Sequence, residues 1–144
     1  MHRFTVLVVV LTALTVLQGI QAKTFTECGL ANLLKSKYGF SQTKTNNFVC
    51  LAKAESSLST TATHKNSNGS TDYGLFQINN NYWCSTPGFK SAGNDCNIPC
   101  SDLLTDDITK AVKCANLIYS RQGYSAWYGW TAKCKSGVKD LSSC

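Results

Sequence analysis

Histidine, proline and acidic residues are scarce in this chain, and no long apolar run follows its first residues. There are two histidines, and only His64 lies beyond the leader described below. With one imidazole and every cysteine apparently paired, a serine or cysteine hydrolase is a poor fit. There is no Cys-x-x-Cys, so the donor cluster of a zinc centre is missing. No metal and no cofactor is expected. Pro87 and Pro99 are the two prolines, both between cysteines. No internal repeat, low-complexity tract or linker divides the chain. The basic residues run from Lys23 to Lys139 without a dense block, and no nucleic-acid motif accompanies them. No basic amphipathic segment stands out, which argues against stable membrane insertion. The acids number 8 against 14 lysines and arginines, so two acids in chemically distinct settings are informative.

The first residues read as a removable leader. His2 and Arg3 form a short basic start, Phe4 to Leu17 an apolar stretch, and Gln18 to Ala22 a polar end closing on a small residue. That pattern is a secretory signal peptide, residues 1–22, cut after Ala22. The apolar stretch falls short of the roughly 20 residues a spanning helix needs. Residues 23–144 are then one secreted, extracellular domain, long enough to bury a core of its own. Loss of Arg3 with the leader leaves a net charge of about +5. A basic surface of this kind suits a soluble monomer attracted to a polyanion such as a bacterial envelope.

Eight cysteines lie in the secreted part: Cys28, Cys50, Cys84, Cys96, Cys100, Cys114, Cys134 and Cys144. An even count behind a leader predicts four disulfides formed in an oxidising compartment. The count alone leaves on the order of a hundred pairings open.

Between the cysteines the pattern is mostly helical. Thr24-Phe25-Thr26-Glu27 fits a capping box, with Thr26 an alternative cap, and Leu30, Ala31, Leu33 and Leu34 follow at helical spacing. Gly39 closes that helix. A second helix is predicted to start near Thr45 to Asn47, with an apolar body of Phe48, Val49, Leu51, Ala52 and Ala54, fading after Glu55. Asn66-Ser67-Asn68-Gly69-Ser70 is turn chemistry, and Asn-Gly signals a hairpin. Thr71 to Ile78 is predicted as a strand. Thr105-Asp106-Asp107 caps a third helix carrying Ile108, Ala111, Val112, Ala115 and Ile118 on one face, with Gly123 beyond its end. The predicted fold class is α+β: helix-dominated, with one small antiparallel sheet between helices.

Glu55 and Asp72 are the candidate chemistry. Glu55 sits near a helix C-terminus, where the dipole disfavours negative charge. It follows an apolar helical body, so partial burial would raise its pKa. Asp72 has Asn68, Ser70, Thr71 and Gln77 nearby in sequence, polar groups able to hold a carboxylate ionised. Two carboxyls in such different settings are what glycoside hydrolysis uses, one as proton donor and one as anion beside the sugar cation. Taken singly, Glu55 reads equally as an exposed helix-end glutamate and Asp72 as a turn-capping aspartate.

The surrounding motifs decide between these readings. Cys50-Leu51-Ala52-Lys53-Ala54-Glu55-Ser56, then Gly69-Ser70-Thr71-Asp72-Tyr73-Gly74-Leu75-Phe76-Gln77-Ile78-Asn79, then Cys96-Asn97-Ile98-Pro99-Cys100 closely resemble the c-type lysozymes. All eight cysteines match that family's order and approximate spacing, and the resemblance covers essentially the whole secreted part. It implies a lysozyme-like domain, with an active-site cleft between its helices and its small sheet. It implies the pairs Cys28–Cys144, Cys50–Cys134, Cys84–Cys100 and Cys96–Cys114. It also implies hydrolysis of β-1,4 links between N-acetylmuramic acid and N-acetylglucosamine in peptidoglycan, with chitin-type oligosaccharides as further substrates. Glu55 would be general acid and base, and Asp72 nucleophile or electrostatic partner, with retention of configuration. Trp127 would wall the acid from water. Asn66, Gln77 and Asn79 would line the cleft and hydrogen-bond sugar or the catalytic aspartate, Tyr82 and Trp83 would offer flat faces to sugar rings, and Ala126 would offer backbone contacts to an N-acetyl group. The role implied is antibacterial defence or digestion of bacteria. The alternative is a non-catalytic, saccharide-binding or regulatory relative, but such relatives commonly lose one or both carboxylates, and both are present here.

Some positions depart from the family pattern. Many members carry two tryptophans where this chain has Tyr82-Trp83. The loop from Ser120 to Tyr124 is about one residue shorter than in the bird enzymes, and lacks the acid that some members use there to hold sugar. Asn68-Gly69-Ser70 is formally a glycosylation sequon, read here as a bare turn because a glycan would crowd the cleft. Where some relatives bind calcium, the matching side-chain positions hold Thr105, Lys110 and Ala111, and a lysine opposes that ion.

Overall fold

The computed structural model describes residues 23–144. The expected leader lies outside the described residues. Among those described, no helix is long and apolar enough to cross a membrane.

Helix α1 spans Glu27–Ser36. Its cap is Thr26, whose hydroxyl accepts from Gly29 N at 3.0 Å. The capping box read from Thr24 does not form, because Thr24 pairs with Ser59 in an isolated bridge. Leu30, Ala31 and Leu34 are fully buried. Gly39, with φ +70°, turns the chain after the helix, and only a residue free of a Cβ takes that conformation at no cost.

Helix α2 spans Gln42–Ser56, so it starts several residues before the predicted Thr45–Asn47. Ser41 is the reason, since its hydroxyl accepts from Lys44 N at 3.2 Å and satisfies a free donor of the first turn. The polar first turn hid the start from an apolar-spacing argument. The far end closes as Ser57 and Leu58 swing to positive φ, with Leu58 N donating to Ala52 O.

Three short strands follow: β1 Thr63–Lys65, β2 Thr71–Tyr73 and β3 Ile78–Asn79, antiparallel in that order. The hairpin turns at Asn66–Ser70, where Asn66 N donates to Ser70 O at 2.8 Å. The single strand predicted over Thr71–Ile78 is in fact two strands split by a turn. Gly74 is the cause. Its φ is +76°, and a Cβ there would lie 2.0 Å from Leu103 O. The sheet is thus bent back against a short 3-10 helix, Cys100–Leu103.

Helix α3 spans Thr109–Gln122. Asp107 caps it, accepting from Thr109 N and from the Thr109 hydroxyl. Ile108, Ala111, Val112, Ala115 and Ile118 are all buried. Gly123, at φ +71°, ends the helix. A 3-10 turn, Tyr124–Ala126, leads into α4, Tyr128–Lys133.

The core centres on Phe48 of α2. The rings of Phe40, Phe76, Tyr119, Tyr124 and Trp127 all meet its ring edge-on, at centroid distances of 5.2–6.1 Å. Phe40 comes from the link between α1 and α2, and the other rings from α3, from the turn before β3 and from the segment before α4, so one side chain joins the layers that carry the cleft. Four disulfides fasten the assembly: Cys28–Cys144, Cys50–Cys134, Cys84–Cys100 and Cys96–Cys114. These are the pairs the resemblance implies. Cys50–Cys134 ties α2 to the end of α4.

Candidate active site

Glu55 is carried in the last turn of α2, which points it out of the helical layer toward the sheet. The neighbouring Ser56 is buried, and its hydroxyl reaches both Ala52 O and Leu75 O, at 2.9 and 2.7 Å. Leu75 belongs to the turn between β2 and β3, so the helix end and the sheet are hydrogen-bonded beside the acid. Trp127 makes a second tie, as its buried Nε1 donates to Phe76 O at 2.8 Å.

The Glu55 carboxyl accepts from Gly129 N at 2.7 Å. Nothing in the sequence marks Gly129 for this contact. A Cβ there would come within 2.7 Å of Glu55 Oε1, so the absence of a side chain is what lets the amide approach. Burial pushes the Glu55 pKa above the usual glutamate value, the Gly129 amide opposes that rise, and the negative charge of Asp72 adds to it. A carboxylic acid held this way stays protonated to higher pH, as a general acid must.

Asp72 lies at the middle of β2, opposite His64 on β1 and Asn79 on β3. Both of its oxygens are engaged. Asn66 Nδ2 donates to Oδ2 at 3.0 Å, and Asn79 Nδ2 donates to Oδ1 at 2.8 Å. Both amides also reach the Ser70 hydroxyl, which itself donates to Asn68 Oδ1. The support for Asp72 therefore comes mainly across strands, from Asn66 and Asn79. The expected direct bonds from Ser70, Thr71, Asn68 and Gln77 do not form. Gln77 lines the cleft, but its amide donates to Ala62 O and Gly74 O and so staples the turn.

One cavity of about 200 Å³ is lined by Glu55, Asp72, Gln77, Asn79, Trp83, Ala126, Trp127 and Tyr128, among others. A neighbouring cavity of about 500 Å³ is lined by Asn66, Asp72, Asn79, Tyr82, Trp83 and Ala126 with Ser67, Asn68, Ser70 and Gln122. The two share Asp72, Asn79, Trp83, Gln122 and Ala126, so they are parts of one cleft. Every sequence-predicted substrate residue borders it. Tyr82 is exposed, whereas Trp83 is buried with the Arg121 guanidinium 5.8 Å from its ring centroid. Arg121 also pairs with Asp95. Gln122, between Ser120 and Tyr124, stands at the cleft. Trp130, read from the sequence as core, stacks on Tyr124 and donates to Asn47 Oδ1 at 3.0 Å. Lys110, in the first turn of α3, pairs with Asp102 of the preceding 3-10 helix at 2.8 Å.

His64, Gln122, Tyr128 and Gly129 are the neighbours of the pair that the sequence reading missed. Only His64 had a usable signal, because the hairpin register that places Asn66 near Ser70 also sets His64 across from Asp72.

Known proteins resemble this chain closely. A lysozyme of Bombyx mori is 56% identical over 126 residues, covering 88% of this chain and 90% of its own length. Lysozyme c-1 of Anopheles gambiae is 51% identical, covering 86% of each. The crystal structure of a lysozyme from Litopenaeus vannamei superposes with a TM-score of 0.74 at 46% identity, over 84% of this chain and 93% of that one. Residues 23–144 match the C-type lysozyme/alpha-lactalbumin family. With the helix-borne Glu55, the strand-borne Asp72 and four bridged cysteine pairs around them, this chain belongs to that family.

Proposed function

We propose that this protein is a secreted lysozyme that cleaves the β-1,4 link between N-acetylmuramic acid and N-acetylglucosamine in bacterial peptidoglycan, with Glu55 as general acid and base and Asp72 as nucleophile or electrostatic stabiliser. Identities of 46–56% to proteins named lysozyme make the chain a glycoside hydrolase. Lysozyme is the type case of the two-carboxyl retaining mechanism, and the carbohydrate chemistry follows from it.

The observation that carries the residue roles is the contrast between the two carboxyls of one cavity. Glu55 is half-buried with a raised pKa, and Asp72 accepts from two side-chain amides. The first keeps a proton to give to the leaving sugar oxygen. The second is oriented as an anion beneath the ring carbon where positive charge develops. Trp127 covers the acid and keeps bulk water from stabilising its charge. After the leaving sugar departs, Glu55 is a carboxylate and can take a proton from the attacking water. Asn66 and Asn79 hold Asp72, Gln77 holds the turn beside it, and Tyr82, Trp83 and Ala126 border the groove for further sugars. The four disulfides suit an oxidising, extracellular setting, and the basic surface suits an anionic wall.

The test is the clearing rate of a bacterial cell-wall suspension by the wild-type protein, Glu55→Gln and Asp72→Asn. Near-complete loss is expected with Glu55→Gln, and a large loss with Asp72→Asn, with all three folded by circular dichroism. Unchanged clearing by folded Glu55→Gln would overturn the enzymatic assignment.

A further inference from the structure

Lys44 lies in the first turn of α2, partly buried. Its Nζ stands 4.5 Å from the ring centroid of Phe40, 5.2 Å from that of Tyr119 and 5.7 Å from that of Phe48. Lys23 and Lys37 each meet one ring, Phe25 and Tyr38. Ion pairs among the described residues engage Lys37, Lys53, Lys110, Lys139 and Arg121, and Lys44 belongs to none of them. The three rings around it come from the link before α2, from α2 itself and from α3. The enclosure is therefore a product of the fold and not of the helix alone.

Ring faces attract an ammonium, but they also displace part of its water. Burial pushes the Lys44 pKa below the usual lysine value. Among the described residues no carboxylate pairs with the amine to restore its charge, and the titratable group packed on it is the Tyr119 phenol. Tyr119 stands 4.5 Å from Tyr124, whose own phenol is held by burial above the usual tyrosine range. A lysine stripped of part of its water is a better nucleophile toward carbonyl carbon, because the neutral amine is the reacting form. Carbon atoms added to Lys44 Nζ can pack on the same rings. An adduct on Lys53 or Lys110 must instead disturb an ion pair, at 2.6 or 2.8 Å.

We propose that Lys44, in its enclosure of Phe40, Phe48 and Tyr119, is a covalent modification site for open-chain sugar aldehydes, the lysine side chain of this protein that they modify first. Its chemistry stands apart from the hydrolase reading, although each glycosidic cleavage would supply a reducing end of this class. The lone pair of neutral Nζ adds to the aldehyde carbon, and the carbonyl π pair moves onto oxygen. A proton passes from nitrogen to that oxygen and gives a carbinolamine. The nitrogen pair then forms the C=N bond as the hydroxyl leaves, taking the second nitrogen proton with it as water. No oxidant or reductant is consumed. The ring faces screen the new bond from the water that would reverse it.

The test uses glyceraldehyde, the smallest such sugar, at limiting concentration and neutral pH, with cyanoborohydride to trap the imine as a secondary amine. Peptide mass spectrometry gives the early labelling rate of each lysine side chain. In the folded protein Lys44 is expected to label about threefold faster than Lys37, and about threefold faster than Lys44 itself in the reduced, alkylated chain unfolded in guanidinium chloride, the joint effect of partial burial on the amine and of apolar contact for the added carbon. Tyr119→Leu opens one side of the enclosure and is expected to lose most of that lead, with its fold checked by circular dichroism. Phe40→Leu takes its place if Tyr119→Leu does not fold. A Lys44 rate no higher than that of Lys37, or equal Lys44 rates in the folded and unfolded chains, overturns the proposal. So does a lead that survives undiminished in the folded ring variant.

Discussion

Removing Cys28 and Cys144 together, each replaced by alanine, tests how the bridges divide their work. That bridge closes a sequence separation of 116 residues. In isolation, chain entropy would value so long a loop at about 4.8 kcal/mol. It does not act in isolation, because Cys50–Cys134 lies inside it. With that inner bridge intact, the unfolded chain passes from Cys28 to Cys50, across the bridge, and from Cys134 to Cys144. The loop that the outer bridge closes then has only about 30 residues, which lowers its contribution to about 3.6 kcal/mol. For a domain of this size the melting temperature should fall by roughly 14 °C.

The converse substitution, Cys50→Ala with Cys134→Ala, opens the same ring and carries the same entropic cost. It also leaves a gap at buried Cys134, so its total cost should be somewhat larger. The two variants should differ most in activity. Cys50 and Glu55 share α2, while Cys134 caps the α4 helix that begins beside Trp127 and contains Gly129. Loss of the inner bridge loosens the contact through which Gly129 N holds Glu55, and loss of the outer one does not touch it. The assays are urea and thermal unfolding together with wall clearing at 25 °C, well below both melting points. Two results would refute the reasoning: a loss near 5 kcal/mol for the outer bridge, which would mean the loops are independent, or equal clearing rates for the two variants at equal folded fraction.

Two further outcomes test the site itself. Asn79→Ala removes the donor to Asp72 Oδ1, and a hydrogen bond to a charged group is worth about 1.5–3 kcal/mol, so kcat should fall at least about tenfold, checked by initial clearing rates at saturating substrate. Glu55→Gln should be as stable as wild type below about pH 4 and more stable at neutral pH, measured as urea midpoints across that range. The sign follows from the raised Glu55 pKa: between the unfolded and folded values the folded state holds the extra proton, so wild-type stability falls as pH rises through that window, and glutamine has no charge to bury.

Helix bodies were legible because their signals are local, and the motifs around Glu55 and Asp72 marked two carboxyls that border one cavity. Leu30, Ala31 and Leu34 repeat at helical spacing, and so do Ala111, Val112, Ala115 and Ile118; all are buried. The early start of α2 has a local cause, the cap at Ser41, but the other misreadings trace to a partner remote in sequence. Thr24 fits a cap by spacing, yet it is drawn into a bridge with Ser59. The run Thr71–Ile78 has strand composition, yet Gly74 bends it because Leu103 O approaches from a segment beyond three cysteines. For Asp72 the polar neighbours along its own segment give no direct bond, whereas Asn79, brought by strand pairing, and Asn66, brought by the hairpin turn, make the contacts that the family resemblance implied. Tyr128 had no signal at all, since nothing in Trp127-Tyr128-Gly129 says which ring faces the core and which faces the cleft.

The same dependence explains why the two carboxyls sit on different kinds of element. A raised pKa needs partial burial, and the end of α2, where Glu55 borders one cavity with Trp127, supplies it along with the unfavourable end of the dipole. An oriented carboxylate needs donors on both oxygens, and the hairpin and its third strand deliver one amide from each side of Asp72 without a long loop. The proposed reaction therefore calls for a junction between helix and sheet, and for a stiff one if the pair is to act on one bond. The ties Ser56–Leu75 and Trp127–Phe76 cross that junction directly beside Glu55, and both end on carbonyls of the turn that Gly74 opens. Gly74, read from the sequence as part of a strand, thus opens the turn on which both ties end.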